Sequence, residues 1–141
     1  MSSYILNIES ATTNCSVSLS KDGETIVLKE DNDKSYSHAE RLHVYIDEVL
    51  KEANINFNEL DAIAVSKGPG SYTGLRIGVS AAKGLCFALD KPLISIPTLD
   101  ALANQLKIDD GVIISMLDAR RMEVYSAIYD SNYKQIRETQ A

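Results

Sequence analysis

Apolar and polar residues alternate strictly from Cys15 to Ser20, with Cys15, Val17 and Leu19 interleaved by Ser16, Ser18 and Ser20. A period of two marks a strand with one buried and one polar face. Tyr4 to Glu9 reads as a strand before it. Glu24 to Glu30, with Ile26, Val27 and Leu28, reads as a strand after it, joined through a tight turn at Lys21-Asp22-Gly23. These three form an antiparallel meander. Beyond the polar stretch Asp31 to Ser35 the period lengthens. Leu42, Tyr45, Ile46, Val49, Leu50 and Ala53 then recur at helical spacing and predict a helix from His38 to Ala53. Ser37 and Glu40 have capping-box spacing at its start. Ala62 to Ser66 follows as a short apolar strand, Gly68 to Gly74 as a glycine-rich loop, and Leu75 to Leu89 as a second helix. Pro92 to Ile96 is a further buried strand. A third helix runs from Thr98 to about Leu106, with Thr98 as its cap and Asp100 in its first turn.

Three antiparallel strands followed by helix, strand, helix, strand, helix is the element order of a ribonuclease-H-like α/β unit. The later strands of such a unit join the first in parallel, giving a mixed five-stranded sheet covered by helices. This unit is expected to occupy residues 1–108. Gly111 to Leu117, Glu123 to Tyr129 and Tyr133 to Glu138 then repeat the opening meander. An offset of 109 carries Glu9 onto Asp118 and the turn at Lys21 to Gly23 onto Asp130 to Asn132. Residues 109–141 therefore read as the start of a second, incomplete copy. The alternative is that these last strands extend the first sheet.

Composition narrows the function classes. With 45% hydrophobic residues among 141, the chain is long enough to bury a core, and its apolar runs fall short of the ~20 residues a bilayer requires. The start, Met-Ser-Ser-Tyr-Ile-Leu-Asn-Ile-Glu, lacks the basic region of an export signal. A cytoplasmic protein is expected, with Cys15 and Cys86 as reduced thiols. Fourteen basic against twenty acidic residues leave a net charge of -6. That sign opposes nucleic-acid binding, and Lys67, Arg76, Lys83, Arg120 and Arg121 are the only candidates for a basic patch near the glycine loop.

The segment Lys67-Gly68-Pro69-Gly70-Ser71-Tyr72-Thr73-Gly74-Leu75-Arg76-Ile77-Gly78 joins a strand end to a helix N-terminus, where backbone N–H groups converge. Gly68, Gly70, Ser71 and Thr73 are candidate contacts for an anion or nucleotide. The glycines equally suit a tight turn, with Gly74 and Gly78 admitting a second backbone. Between Leu75 and Leu89 only Arg76, Ser80 and Lys83 are polar, and Gly74, Gly78 and Ala82 recur every fourth residue. One sheet covers one side of such a helix. The small-residue row is expected to meet another helix, in this chain or in a partner.

Catalytic constellations are missing. His38 and His43 are five apart, which rules out an i, i+4 metal pair on a helix. Glu9, followed by Ser10 to Asn14, stands where ATPases of this architecture hold a metal-linked carboxylate, but its turn lacks the glycine that admits phosphate. An ATPase or small-molecule kinase is the competing class. Asp118-Ala119-Arg120-Arg121 reads as an Asp–Arg bridge or as an anion contact.

Ile8-Glu9-Ser10-Ala11-Thr12, the glycine-rich segment, and Asp118-Ala119-Arg120-Arg121 through Glu123-Val124-Tyr125 together resemble the bacterial TsaB (YeaZ) family. The glycine-rich segment is shared with the wider glycoprotease-like family. The late Asp-Ala-Arg segment narrows the likeness to TsaB. The resemblance implies a relative of actin-like (ASKHA) ATPases that is neither protease nor enzyme and carries no metal or cofactor of its own. It implies a subunit that pairs with the catalytic paralogue TsaD. With TsaC and TsaE, such subunits support ATP-dependent transfer of a threonylcarbamoyl group to the adenosine beside the anticodon of tRNAs reading ANN codons. That paralogue carries a His-Met-Glu-Ala-His metal motif where this chain has Thr98-Leu99-Asp100-Ala101-Leu102. Glu9 replaces the family's usual Asp, and the chain stops before the family's second domain is complete. The expected interface is the helix pair, with His38, Leu42, Tyr45, Gly74, Arg76, Gly78 and Ala82. The same face is expected to form a homodimer in isolation, and tRNA is expected only through the complex.

Overall fold

The computed structural model describes residues 2–31 and 38–141. Ser37 and most of the polar stretch before it lie outside the described residues, and with them the expected capping box.

The opening meander consists of β1 (Tyr4–Glu9), β2 (Cys15–Lys21) and β3 (Glu24–Asp31). β1 and β2 pair antiparallel from Tyr4 opposite Lys21 to Glu9 opposite Ser16. The alternation in β2 does what its period dictates: Cys15, Val17 and Leu19 are fully buried, and the intervening serines lie on the opposite face. Next come α1 (His38–Ala53), β4 (Ala62–Ser66), α2 (Tyr72–Leu89) and β5 (Leu93–Ile96). β4 adds parallel to β1, and β5 parallel to β4, giving the sheet order β3-β2-β1-β4-β5. Leu42, Ile46, Val49 and Leu50 form the apolar stripe of α1 and join Leu6, Val17, Leu19 and Ile63 in one core. Each such side chain contributes ~1.5–3 kcal/mol by leaving water, so the stripe fixes α1 on the sheet.

α2 begins three residues earlier than its apolar run suggests. Ser71 caps it by accepting a hydrogen bond from the Gly74 N–H at 3.2 Å, so the last residues of the glycine segment are already helical. α3 (Thr98–Ala103) is shorter than the sequence predicts and is capped differently. Pro97 is its N-cap, and the Thr98 hydroxyl is buried without a hydrogen-bond partner. The Thr98 N–H is held by the Gly68 carbonyl at 2.8 Å. The helix stops at Asn104, whose side chain bonds back to the Asp100 carbonyl at 2.8 Å.

The last three strands do not extend the first sheet. β6 (Val112–Arg120), β7 (Glu123–Asp130) and β8 (Gln135–Gln140) form a separate antiparallel sheet in that order. β8 starts later than expected because Tyr133, at φ +64, still belongs to the turn. There the Asp130 carboxylate takes the N–H groups of Asn132 and Lys134 at 2.8 and 2.9 Å. The inner face of this sheet presents Ile113, Ala127 and Tyr129 to Leu99 and Ala103 of α3, forming a second, smaller core. Val112, Ile114 and Met116 lie half exposed on the other face.

Candidate interaction face and glycine loop

The glycine loop is clamped to the turn that ends β1. The Ser71 N–H bonds the Ala11 carbonyl at 2.6 Å, and the Ser10 hydroxyl donates to the Gly74 carbonyl at 2.7 Å. A Cβ at Gly70 would lie 2.5 Å from the Ala11 carbonyl oxygen, one at Gly74 2.2 Å from the Ser10 carbonyl oxygen, and one at Gly78 2.1 Å from Ser10 Oγ. These contacts explain the glycines: the N-terminal half of α2 runs along the end of β1 with no room for side chains.

Several residues of the expected interface pack within the chain itself. Gly74, Gly78 and Ala82 are buried in α2, the two glycines against Ser10 and Ala82 within the large core. Leu42 is likewise fully buried in the chain's own core. The two glycines admit Ser10, in the turn after β1, and Gly74 also lies against His38 of α1. Tyr45 is half-buried and packs against that core. His38 is tied inward as well: its Nε2 lies on the Thr12 carbonyl, so it carries the proton, and its Nδ1 accepts from Arg41 at 3.1 Å. Arg76 alone of the expected set is exposed, with its guanidinium over the Tyr72 ring at 5.5 Å.

Of the four residues expected to hold an anion, Ser71 spends its hydroxyl on the helix cap, and the Gly68 carbonyl receives the Thr98 N–H. Thr73 is exposed and Gly70 abuts Ala11. Glu9 is also engaged: one carboxylate oxygen accepts the Ala11 N–H at 3.0 Å, and the other accepts the Ser66 hydroxyl. It staples β1 to β4 at the rim of a cavity of about 180 Å³ that Asn7, Ser16, Ser18 and Ala101 also line. Burial raises the pKa of both thiols, Cys15 and Cys86, which keeps them protonated and unreactive at neutral pH. Among the described residues Asp118 forms no salt bridge; its carboxylate accepts the Arg120 N–H at 2.7 Å within the β6–β7 hairpin.

What α1 and α2 present outward is an open groove of about 520 Å³, floored by Ile46, Ile77 and Ala81 and bounded by His43, Asp47 and Gly84. His43 sits on this groove, apart from His38 in role and surroundings. Tyr72, 75% exposed, and Phe87, 91% exposed, stand on the same helix. Sequence reading missed Phe87 because a single aromatic in an apolar helix looks like core until its face is known. It missed Ser10 because nothing in a lone serine announces a close contact.

The sheet order, its two parallel additions and the helices packed on it define a ribonuclease-H-like α/β unit of the actin-like ATPase class, followed by the meander of a second sheet. A family model described as "TsaD: tRNA N6-adenosine threonylcarbamoyltransferase" matches residues 32–141, and the chain belongs to that family. It is 37% identical over 124 residues to a Haemophilus influenzae protein named "tRNA threonylcarbamoyladenosine biosynthesis protein TsaB", a match covering 86% of this chain and 51% of that one. A shorter match, 52% identical over 62 residues, is to the "tRNA N6-adenosine threonylcarbamoyltransferase" of Bacillus thuringiensis and covers 44% of this chain and 18% of that enzyme. The solved structure of YeaZ from Pseudomonas aeruginosa superposes with a TM-score of 0.83 at 30% identity, covering 99% of this chain and 65% of that one. The likeness to TsaB and YeaZ that the motifs suggested is upheld. The chain spans about half the length of the curated TsaB relatives it matches. No helix among the described residues is long and apolar enough to cross a membrane.

Proposed function

We propose that this chain acts as a noncatalytic activating subunit in forming N6-threonylcarbamoyladenosine on tRNA, working through heterodimerisation with the catalytic paralogue TsaD. The observation that carries this reading is the open, largely apolar groove between α1 and α2, with Tyr72 and Phe87 exposed elsewhere on α2. The similarity to TsaB proteins supplies the pathway. In this reading TsaE joins the larger complex, ATP is consumed by the complex, tRNA is met on the joint surface, and the setting is cytoplasmic.

A catalytic reading draws support from the family's printed description and from the Bacillus thuringiensis match. The chemistry of residues 98–102 argues against it. Leu102 has no donor atom for a metal, and Asp100 is engaged by the Tyr129 hydroxyl. Co-purification with the catalytic paralogue and a transferase assay test the proposal. Retention of the paralogue and a rise in its activity are expected. Full activity of the paralogue without this chain would refute the activating role, and transfer by this chain alone would restore the catalytic one.

A further inference from the structure

The cavity of about 180 Å³ on the polar face of the first sheet plays no part in the proposed function. In the β1–β2 pair Glu9 stands opposite Ser16 and Asn7 opposite Ser18. The strand period of two therefore puts all four on one face, where they line the cavity. Ile96 of β5 and Ala101 of α3 give it an apolar side. Much of the hydrogen-bonding capacity here is unspent. Glu9 accepts from the Ala11 N–H and the Ser66 hydroxyl, which fills about half of the roughly four acceptor positions of a carboxylate. Asn7 donates through Nδ2 to the Ile5 carbonyl at 3.3 Å, and its Oδ1 has no partner among the described residues. The same holds for the hydroxyls of Ser16 and Ser18.

We infer that this cavity binds a short aliphatic primary ammonium, held by the Glu9 carboxylate and the Ser16 and Ser18 hydroxyls, with its methylenes against Ile96 and Ala101. One negative charge among neutral oxygens calls for a ligand that donates, and an ammonium brings three donors and the opposite charge. The volume is that of roughly six water-sized groups, which matches an amine of a few carbons. Among the described residues no basic side chain lines the cavity, so nothing there receives a phosphate or a ligand carboxylate. A magnesium ion on one carboxylate relies on substrate phosphates for its remaining hold, and these would be repelled. An amino acid would set its own carboxylate beside Glu9. A simple amine or polyamine avoids that clash, and the net charge of -6 draws it in.

The test is calorimetric titration of the full 141-residue chain with butylamine and with putrescine, backed by amide chemical-shift mapping and by melts of each variant. Saturable binding of both is expected, with the largest shifts at Asn7, Glu9, Ser16 and Ser18. Butanol lacks the charge and γ-aminobutyrate adds a carboxylate; each should bind at least ~tenfold more weakly, the loss of one charge-assisted hydrogen bond. Glu9→Gln should weaken amine binding by as much. Asp109→Asn changes the net charge equally at an exposed position outside the cavity lining and should leave binding intact. Because Glu9 also staples β1 to β4, Ser18→Val separates lost binding from lost fold. Its hydroxyl bonds nothing among the described residues and valine suits a strand, so this variant should melt no lower yet bind more weakly. Absence of saturable amine binding, shifts confined to other residues, or equal losses in Glu9→Gln and Asp109→Asn overturn the inference. Tighter binding of Mg-ATP at the same residues overturns it in favour of the ATPase class, and tighter binding of γ-aminobutyrate in favour of an amino acid. Retention of the paralogue is read in a separate assay, so this inference and the proposed function fail independently.

Discussion

Gly78→Ala is expected to destabilise the fold of the single chain, and the size of the effect follows from three contributions. The added methyl would lie 2.1 Å from Ser10 Oγ and 3.2 Å from Ser10 Cβ. The hydroxyl must therefore leave its 2.7 Å bond to the Gly74 carbonyl. Ser10 is buried, so leaving its hydroxyl unpaired costs about 1–3 kcal/mol. Crowding against its Cβ costs about 1–3 kcal/mol more. Alanine's better helix propensity returns ~1 kcal/mol. The net loss is about 1–5 kcal/mol, a large part of the ~5–15 kcal/mol that holds a typical domain together. At ~4 °C per kcal/mol for a chain of this size, the melting point should fall by ~4–20 °C. Urea unfolding of Gly78→Ala, Ser10→Ala and the double variant measures the coupling directly. The double variant should be less destabilised than the sum of the singles by ~1 kcal/mol or more, because the methyl then meets a vacated site. A neutral or stabilising Gly78→Ala, or strict additivity with Ser10→Ala, would refute the reasoning. Gly74→Ala should be worse, since its methyl would meet the Ser10 backbone carbonyl at 2.2 Å, and a backbone atom cannot rotate aside.

Three further outcomes are expected. Ser71→Ala removes the α2 cap and should cost ~1 kcal/mol in thermal or chemical unfolding; an unchanged midpoint would show that the loop caps the helix without it. Burial, reinforced by the bond to Asp100, pushes the Tyr129 phenol well above its usual range. Its contribution to stability is therefore whole below the unfolded value of about pH 10 and is lost as pH rises through the folded value. Tyr129→Phe should cost ~1 kcal/mol at pH 7 and flatten the alkaline decline of stability, and an unaltered alkaline slope would count against the assignment. At a net charge of -6, the isolated chain should hold tRNA no more tightly than the weak end of the ~10⁻⁴–10⁻⁶ M range at physiological salt; submicromolar binding in a gel-shift titration would make it a tRNA-recognition subunit.

The elements were legible where one face of each is buried. The Cys15 to Ser20 alternation and the Leu42 to Ala53 stripe fix strand and helix by period alone, and β1, α1 and β4 begin and end at the residues their patterns indicate. Boundaries slipped where a side chain or turn overrode the pattern, as at Ser71, Pro97 and Tyr133. The candidate site was less legible for a geometric reason. Glycines spaced by four residues signal that a backbone comes close, yet a neighbouring helix and the end of a strand demand the same spacing. Gly74 and Gly78 meet the strand end at Ser10, and the pattern alone cannot tell the two apart. Gly84, outside the row, breaks no periodicity and faces solvent.

α3 belongs to two interiors at once. Ala101 lines the cavity against the first sheet, while Leu99 and Ala103 are buried against the second. Three side chains of the second sheet and its turn reach back to the segment: Tyr129 to the Asp100 carboxylate, Ser115 to the Leu99 carbonyl at 2.9 Å, and Tyr133 to the Leu106 carbonyl at 2.6 Å. The seam at residue 108 that the repeat suggests is therefore no fault line in the energy. A chain cut there would keep all five strands of its first sheet yet strip Leu99 and Ala103 of their cover. The small sheet, for its part, would lose the only helix that shields its inner face among the described residues. The two halves therefore share one short helix as cover.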